Sequence, residues 1–451
     1  MLRHNVLFCM FWTKTFFAMF LCLSMLFWFS WRIYDLHSRA SPPALPNALK
    51  SQTLFNPDGT VVASCIYKDQ QYARLEPQVS QQLLLGFSLE WAYDTPTTIM
   101  NKLNGYKPAV FNTFMEFNLK LPGLFDASSL NWFGSEAGRI GAMLEITMQP
   151  TSDLNQYTTD NLDTLSKACA AVNSKYGVPI LMRFGHEMNG PWTSYAFDPT
   201  NYKPFFRNMT ESMRRFTNMT AMVWGPNVGF GYPFGSSGGK ALPTQGDPNF
   251  ALLDTNNDNV IDSKDDPYGP YYPGDDWVDW VAVSLYFYPP DYPEVNHAPN
   301  PDYFNSYLTG SGYNQENDDA SWLQNHNFYQ RFAQKKPMML PETGAPILRN
   351  QTSTGFVDGG YPGDTATVSE ITIKQLWWSQ LFSATTLARF PNFKLAVNFE
   401  EMKFLNDFTR DWRLTNDTAV RASFVKQLSQ FPQNQQASAF TYGCDGSVKL
   451  S

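Results

Sequence analysis

The sequence predicts an α/β chain folded as a (β/α)8 TIM barrel with enlarged loops, preceded by an N-terminal membrane or signal segment and a short hairpin. Three observations carry this. Eight short apolar runs recur along the chain, amphipathic stretches separate them, and no Gly-rich phosphate loop follows any run, which disfavours a doubly wound open sheet.

The runs cover 83–88, 109–116, 140–148, 179–186, 221–224, 278–286, 337–340 and 394–399. Between them lie helical patterns. The stretch 159–175, TDNLDTLSKACAAVNSK, opens on a Thr/Asp cap and repeats apolar residues at i, i+3 and i+4, and 204–216 and 371–387 are similar. The barrel is expected over 81–430. Residues 41–80 read as a linker, SPPALPNA at 41–48, followed by a small hairpin around Pro57-Asp58-Gly59, and 431–451 read as a C-terminal tail.

Residues 1–40 set the compartment. From Phe16 to Trp31 the chain carries no charge, with Arg3, His4 and Lys14 before it and Arg32 and Arg39 after. This is a secretory targeting segment: a cytoplasmic tail with a signal-anchor, or a signal peptide cleaved after Ala40. The remainder is expected to be lumenal or extracellular, as a type II membrane protein or a secreted one. Acceptor tripeptides for N-glycosylation at Asn208, Asn218, Asn350 and Asn416 agree with that. Beyond the targeting region only Cys65, Cys169 and Cys444 remain, enough for one disulfide of unknown pairing.

Composition narrows the partners. The net charge is −8 and no basic block follows the N-terminus, which argues against nucleic acid. With 36 Phe, 22 Tyr and 13 Trp, the chain has aromatic rings enough for both a core and a cleft that stacks on sugar faces. A neutral polymer, met by a monomer, suits these numbers.

Chemistry concentrates at two strand ends. Arg183-Phe-Gly-His186-Glu187-Met-Asn189-Gly-Pro-Trp192 places a dense polar cluster directly after an apolar run, and Met-Leu-Pro-Glu342-Thr-Gly344 ends another run in a carboxylate. In a parallel barrel all strand C-termini open into one mouth. Two carboxyl groups facing each other there can cleave a glycosidic bond, one protonating the leaving oxygen while the other attacks or activates water.

RFGHEMNGPW and MLPETG resemble the two catalytic motifs of glycoside hydrolase family 26, a resemblance spanning roughly 83–400. It implies a (β/α)8 retaining enzyme with Glu187 as acid/base and Glu342 as nucleophile, on the fourth and seventh strands. It implies further that Arg183 and His186 hold the sugar or the nucleophile, that Asn189 belongs to the substrate site, that Trp192 is a stacking platform, and that Tyr286 orients the nucleophile. The implied activity is endo-hydrolysis of a β-linked polysaccharide, β-1,4-mannan first, with β-1,3-xylan or mixed-linkage glucan as alternatives. A catalytically silent carbohydrate-binding barrel and a transglycosylase are the other readings. The family's eighth-strand Trp is missing: this chain reads Ala396-Val-Asn398-Phe399-Glu400-Glu401.

A third pattern spans 254–265. Asp254, Asn256, Asp258, Asp262 and Asp265 offer side-chain oxygens at positions 1, 3, 5, 9 and 12, and Val260 offers its carbonyl at 7. That is the spacing of an EF-hand-type calcium loop. Asn259 stands where Gly is usual, and Asn tolerates the left-handed conformation. A structural calcium is expected here, with no cofactor in catalysis.

Overall fold

The computed structural model describes residues 72–78, 81–234, 239–288, 295–313, 324–352, 355–358, 368–405, 408–443 and 445–450. The targeting segment, the linker and the expected hairpin lie outside these residues. Among the described residues no helix is long and apolar enough to cross a membrane.

Eight parallel strands close into a barrel: β1 Leu83–Leu89, β2 Val110–Phe117, β3 Met143–Pro150, β4 Ile180–Phe184, β5 Thr220–Trp224, β6 Trp280–Ala282 resuming at Leu285–Tyr286, β7 Met338–Gly344 and β8 Phe393–Glu400. Neighbours pair in sequence order, and β8 returns to β1 with Leu395 opposite Leu84. Each of the eight predicted runs overlaps one of these strands.

Where boundaries moved, local chemistry explains it. The third run was expected from Ile140, but Ile140 ends a helix that Gly141 closes at φ 76°, a left-handed cap that only Gly adopts freely. The helix expected from Pro204 starts earlier, at Pro199, with Asp198 accepting the Asn201 amide. Asp-Pro is a cap followed by the one helical position where a missing N–H costs nothing. The helix expected over 371–387 is two helices, Glu370–Leu381 and Ala384–Arg389, because the Ser383 side chain caps the second.

Apolar side chains fill two shells. Inside the barrel Leu84, Val110, Met143, Leu181, Val223, Met339 and Leu395 form one cluster, and a larger one fills the space between strands and helices. The segment read as a tail belongs to the inner shell. Asn434–Gln435 pairs with the start of β1, and Phe440–Tyr442 and Val448–Leu450 form a hairpin whose Phe440 and Val448 join Leu75 in the inner cluster. It is packed at the N-terminal end of the strands, opposite the mouth, where packing serves stability.

At the mouth a second sheet was not anticipated. Ile347–Thr352, Gly355–Asp358, Met402–Leu405 and Phe408–Asp411 form four antiparallel strands that continue the chain beyond β7 and β8. They raise one wall of the mouth and deliver Trp412 beside Tyr286, ring centroids 5.8 Å apart.

Candidate active site

β4 is fully buried and delivers Arg183 into the barrel interior with no solvent exposure. The chain then turns sharply. Glu187 has φ 52°, a left-handed conformation that costs a non-Gly residue on the order of 1–3 kcal/mol. The turn is held by the Glu187 amide donating to the Gly225 carbonyl at 2.9 Å and the Gly190 amide donating to the Glu187 carbonyl at 3.0 Å. Space at Gly225 is tight: a Cβ there would lie 3.0 Å from Arg183 Nε. Backbone held in this unusual conformation aims the Glu187 side chain.

Glu342 sits near the end of β7. Arg183 joins the two glutamates: Nη1 donates to Glu342 Oε1, and Nη2 lies 3.5 Å from Glu187 Oε1. Both carboxyls are therefore on one side of the barrel, at its mouth, and both are about 8% exposed. Tyr286 donates its hydroxyl to Glu342 Oε2 at 2.8 Å. Ser284 accepts from Arg183 Nη2 at 2.6 Å and hydrogen-bonds Glu187.

The same guanidinium leaves the two glutamates in different states. For Glu187, burial raises the carboxyl above its usual range, the Glu342 charge adds to the rise, and Arg183 with the bonds from Ser284 and Asn227 only partly offsets it. For Glu342, burial works in the same direction, but the Arg183 charge and the hydrogen bonds from Arg183 and Tyr286 outweigh it, holding the carboxyl below its usual range. One is disposed to keep a proton and the other to be ionised. His186 was expected to help hold the anion. It does lower the Glu342 carboxyl, second to the charge of Arg183, although burial and repulsion from Arg183 push the imidazole itself down to about 3, so Arg183 remains the main favourable charge on Glu342.

The remaining expected residues separate into two groups. Trp192 is 46% exposed with its ring against Phe234 at 5.2 Å, open to a ligand. His186 meets Phe114 edge-on at 5.8 Å. Asn189 is fully buried: it donates to the Asn227 carbonyl at 2.8 Å and accepts the Asn227 amide at 2.9 Å. It fixes Asn227, which in turn bonds Glu187, and so positions that side chain. Arg183, without exposure, holds carboxylates and not sugar.

Four residues of the site escaped the sequence reading. Ser284 lies two residues before Tyr286 and strand alternation could have found it. Asn227 follows β5 with no local signal. Glu145, on β3, is fully buried, and burial, reinforced by Glu342 and only partly opposed by Arg183 and the Asn112 side chain, raises it to about 8. Trp412 arrives from the antiparallel sheet and packs on Tyr286 and Phe399. On β8, Asn398 is buried and donates to Glu400 at 2.7 Å, and Phe399 meets Tyr286 edge-on.

The 254–265 loop lies between β5 and β6, as expected, and Asn259 is left-handed at φ 68°. Its carboxylates serve the loop itself. Asp254 accepts the amides of Asp258 and Asn259, each at 3.0 Å, and Asp265 accepts those of Thr255 at 2.6 Å and Asp262 at 2.9 Å. Asn256 donates to Asp258 at 3.0 Å, and Val260 is exposed. Among the described residues no three His, Cys, Asp or Glu stand where they could share one ion.

Cys169 is buried and free, its thiol pushed up to about 12 by burial, and it forms no disulfide. Cys65 and Cys444 lie outside the described residues. Among the glycosylation acceptors Asn208 and Asn416 are exposed, whereas Asn218 is buried.

No family model and no curated protein matches the chain. Solved structures do resemble its fold. A Cellulomonas fimi endo-β-1,4-mannanase double mutant is 16% identical, with a TM-score of 0.47 over 82% of this chain and 75% of that one. The catalytic domain of a Bacillus sp. JAMB-750 GH26 endo-β-1,4-mannanase is 15% identical, with a TM-score of 0.47 over 79% and 88%. A β-mannanase from a symbiotic protist of the termite Reticulitermes speratus is 14% identical, with a TM-score of 0.40 over 82% and 98%.

Proposed function

We propose that this chain is a retaining endo-β-glycosidase that hydrolyses a β-linked polysaccharide, β-1,4-mannan before others. One observation carries the reading: two buried carboxyls share the guanidinium of Arg183, and their surroundings bias them to opposite protonation states. Pairs of titratable groups pushed apart in this way mark an acid and a nucleophile.

In this reading the ionised Glu342 attacks the anomeric carbon while Glu187 gives its proton to the leaving glycosidic oxygen. The bond to the leaving sugar breaks as the ester to Glu342 forms. Water then attacks the same carbon, Glu187 takes its proton, and Glu342 is released as carboxylate. Tyr286 and Arg183 hold Glu342 as the anion, and Trp192 offers a face on which a sugar ring stacks. The reading also places the chain in the secretory pathway through its N-terminal segment, in keeping with the exposed Asn208 and Asn416. A calcium ion in the 254–265 loop is a separate proposal, resting on ligand spacing and the left-handed Asn259. No step of the chemistry passes through it.

The test is a screen of β-1,4-mannan, β-1,3-xylan and mixed-linkage β-glucan, with the first-formed product anomer read by NMR. Cleavage of mannan with the β-anomer appearing first is expected. An α-anomer would remove the retaining mechanism, and no cleavage of any β-glycan would remove the enzyme.

A further inference from the structure

Trp412 directly follows a strand of the antiparallel sheet, on an irregular segment, 411–415, that two buried charged side chains grip. Glu400, at the end of β8, accepts from the Leu414 amide at 2.8 Å and from the Thr415 amide, the Thr415 hydroxyl and the Asn398 side chain at 2.7 Å each. Lys374, on the helix Glu370–Leu381, donates to the carbonyls of Asp411 and Arg413. Between them the Trp412 amide donates to the Glu401 carbonyl at 3.0 Å. Each of the five residues therefore has a backbone group tied to β8, to the residue after it or to the helix. A charged side chain is costly to bury unless hydrogen bonds meet it, and both of these direct bonds to the same short segment.

That segment carries the buried indole of Trp412. Its ring lies 5.8 Å from Tyr286 and 5.4 Å from Phe399, and Phe399 meets Tyr286 edge-on, so the three rings pack as one group. The indole also rests on the end of β7: a Cβ at Gly344 would lie 3.1 Å from Trp412 Cδ1. Its N–H makes no hydrogen bond among the described residues, so packing and the backbone that bears it set the ring's position. Tyr286, against that ring, donates to Glu342 Oε2 at 2.8 Å. A hydrogen bond weakens steeply with misalignment, so a phenol free to tilt would hold the carboxylate less well.

We propose that Glu400 is a positioning residue for the nucleophile: by fixing the 411–415 segment it seats Trp412 against Tyr286 and keeps the Tyr286 hydroxyl on Glu342. Glu400 touches neither substrate nor the reacting atoms in this scheme. The proposal rests on the glycosidase reading for what Glu342 does, whereas the seating of Tyr286 is a property of the folded chain.

Glu400→Gln and Trp412→Phe test it. The first sets an amide NH2 against donors, and the second alters none of the groups that grip the segment. Each is expected to lower kcat on a soluble β-1,4-manno-oligosaccharide by roughly 3- to 10-fold, a part of one charge-assisted hydrogen bond. KM should change little, and the acid limb of the kcat/KM profile should move to higher pH. In a Tyr286→Phe background, where the bond is already gone, Glu400→Gln should cost little more, whereas a residue that only supports the fold would cost the same in both backgrounds. Equal losses in the two backgrounds, or a raised KM with the acid limb in place, would overturn the positioning while leaving the glycosidase standing. Should Glu400→Gln fail to fold, Thr415→Val, which removes one of the four donors to Glu400, takes its place. The carboxyl can also be read without turnover, by NMR titration of protein labelled with 13C at the glutamate carboxyls, the Glu342 signal being the one absent in Glu342→Gln. Arg183, His186, Glu187, Glu145 and Glu401 also face Glu342, and Trp412→Phe changes none of them. A signal that titrates at higher pH in both variants would keep the positioning even if no glycan is cleaved, and an unmoved signal in either would discard it.

Discussion

Tyr286→Phe isolates one of the hydrogen bonds that hold Glu342 low. Phe keeps the ring contacts with Phe399 and Trp412, each at 5.8 Å, and removes only the hydroxyl that donates to Glu342 Oε2 at 2.8 Å. The acceptor is a buried carboxylate, so the bond is charge-assisted and worth about 1.5–3 kcal/mol. At about 1.4 kcal/mol per factor of ten, kcat/KM should fall by about 10- to 100-fold. Direction matters more than size. The Glu342 carboxyl is held low in part by this donor, so its loss moves the carboxyl upward, and a larger fraction is protonated and inert on the acidic side. The acid limb of the kcat/KM profile, which reports the free enzyme, should shift to higher pH. The alkaline limb belongs to Glu187 and should move little. Steady-state rates on a soluble oligosaccharide across the pH range read both limbs. A uniform drop with the acid limb in place would mean that Tyr286 only packs or binds sugar, and a shift of the alkaline limb alone would mean that the roles of the glutamates are reversed.

Three further outcomes are expected. Glu342→Ala should abolish turnover on every substrate, whereas Glu187→Ala should spare activated aryl glycosides; added azide should give a retained product with Glu187→Ala and an inverted one with Glu342→Ala, and the opposite pattern would exchange the assignments. Glu145→Gln should stabilise the fold, and by more at pH 8 than at pH 5: the folded carboxyl, raised to about 8, keeps a proton that the unfolded chain releases near its ordinary 4.5, so the wild type loses stability as pH rises through that window. Denaturant midpoints at the two pH values check this, and a gap that stays constant would refute it. If calcium occupies the 254–265 loop, chelation should lower Tm while leaving the kinetics of the catalytic pair unchanged, and an unchanged Tm would remove the ion.

What the sequence made legible, and what it hid, divides along the range of the interactions involved. β4 and β7 could be read because each is an apolar run ending abruptly in a carboxylate, a strictly local signal: five buried residues before Gly185 in one case, Met338 to Pro341 before Glu342 in the other. The strained turn at Glu187 could not be read, because it depends on the Gly225 carbonyl, thirty-eight residues on. Asn227 and Trp412 were hidden for the same reason. Neither has a local motif; each is brought in by a neighbouring strand or by the antiparallel sheet that rises from β7 and β8. The C-terminal hairpin shows the opposite failure, since a stretch with ordinary tail composition is recruited by the open floor of the barrel, where Phe440 and Val448 find apolar partners.

Arg183 joins the two kinds of information. Its place in the motif was evident, yet its role follows from depth. With no exposure it cannot reach a ligand, and around it lie three carboxyls, Glu145, Glu187 and Glu342. One guanidinium offsets one negative charge, and it donates directly to Glu342. Glu187, 3.5 Å away, and Glu145 are left with burial as the dominant influence, and both are raised. The difference in protonation at the barrel mouth is therefore a matter of which carboxyl lies closest to a single buried cation, a difference that the order of residues along β4 cannot express but that the closure of eight strands around Arg183 imposes.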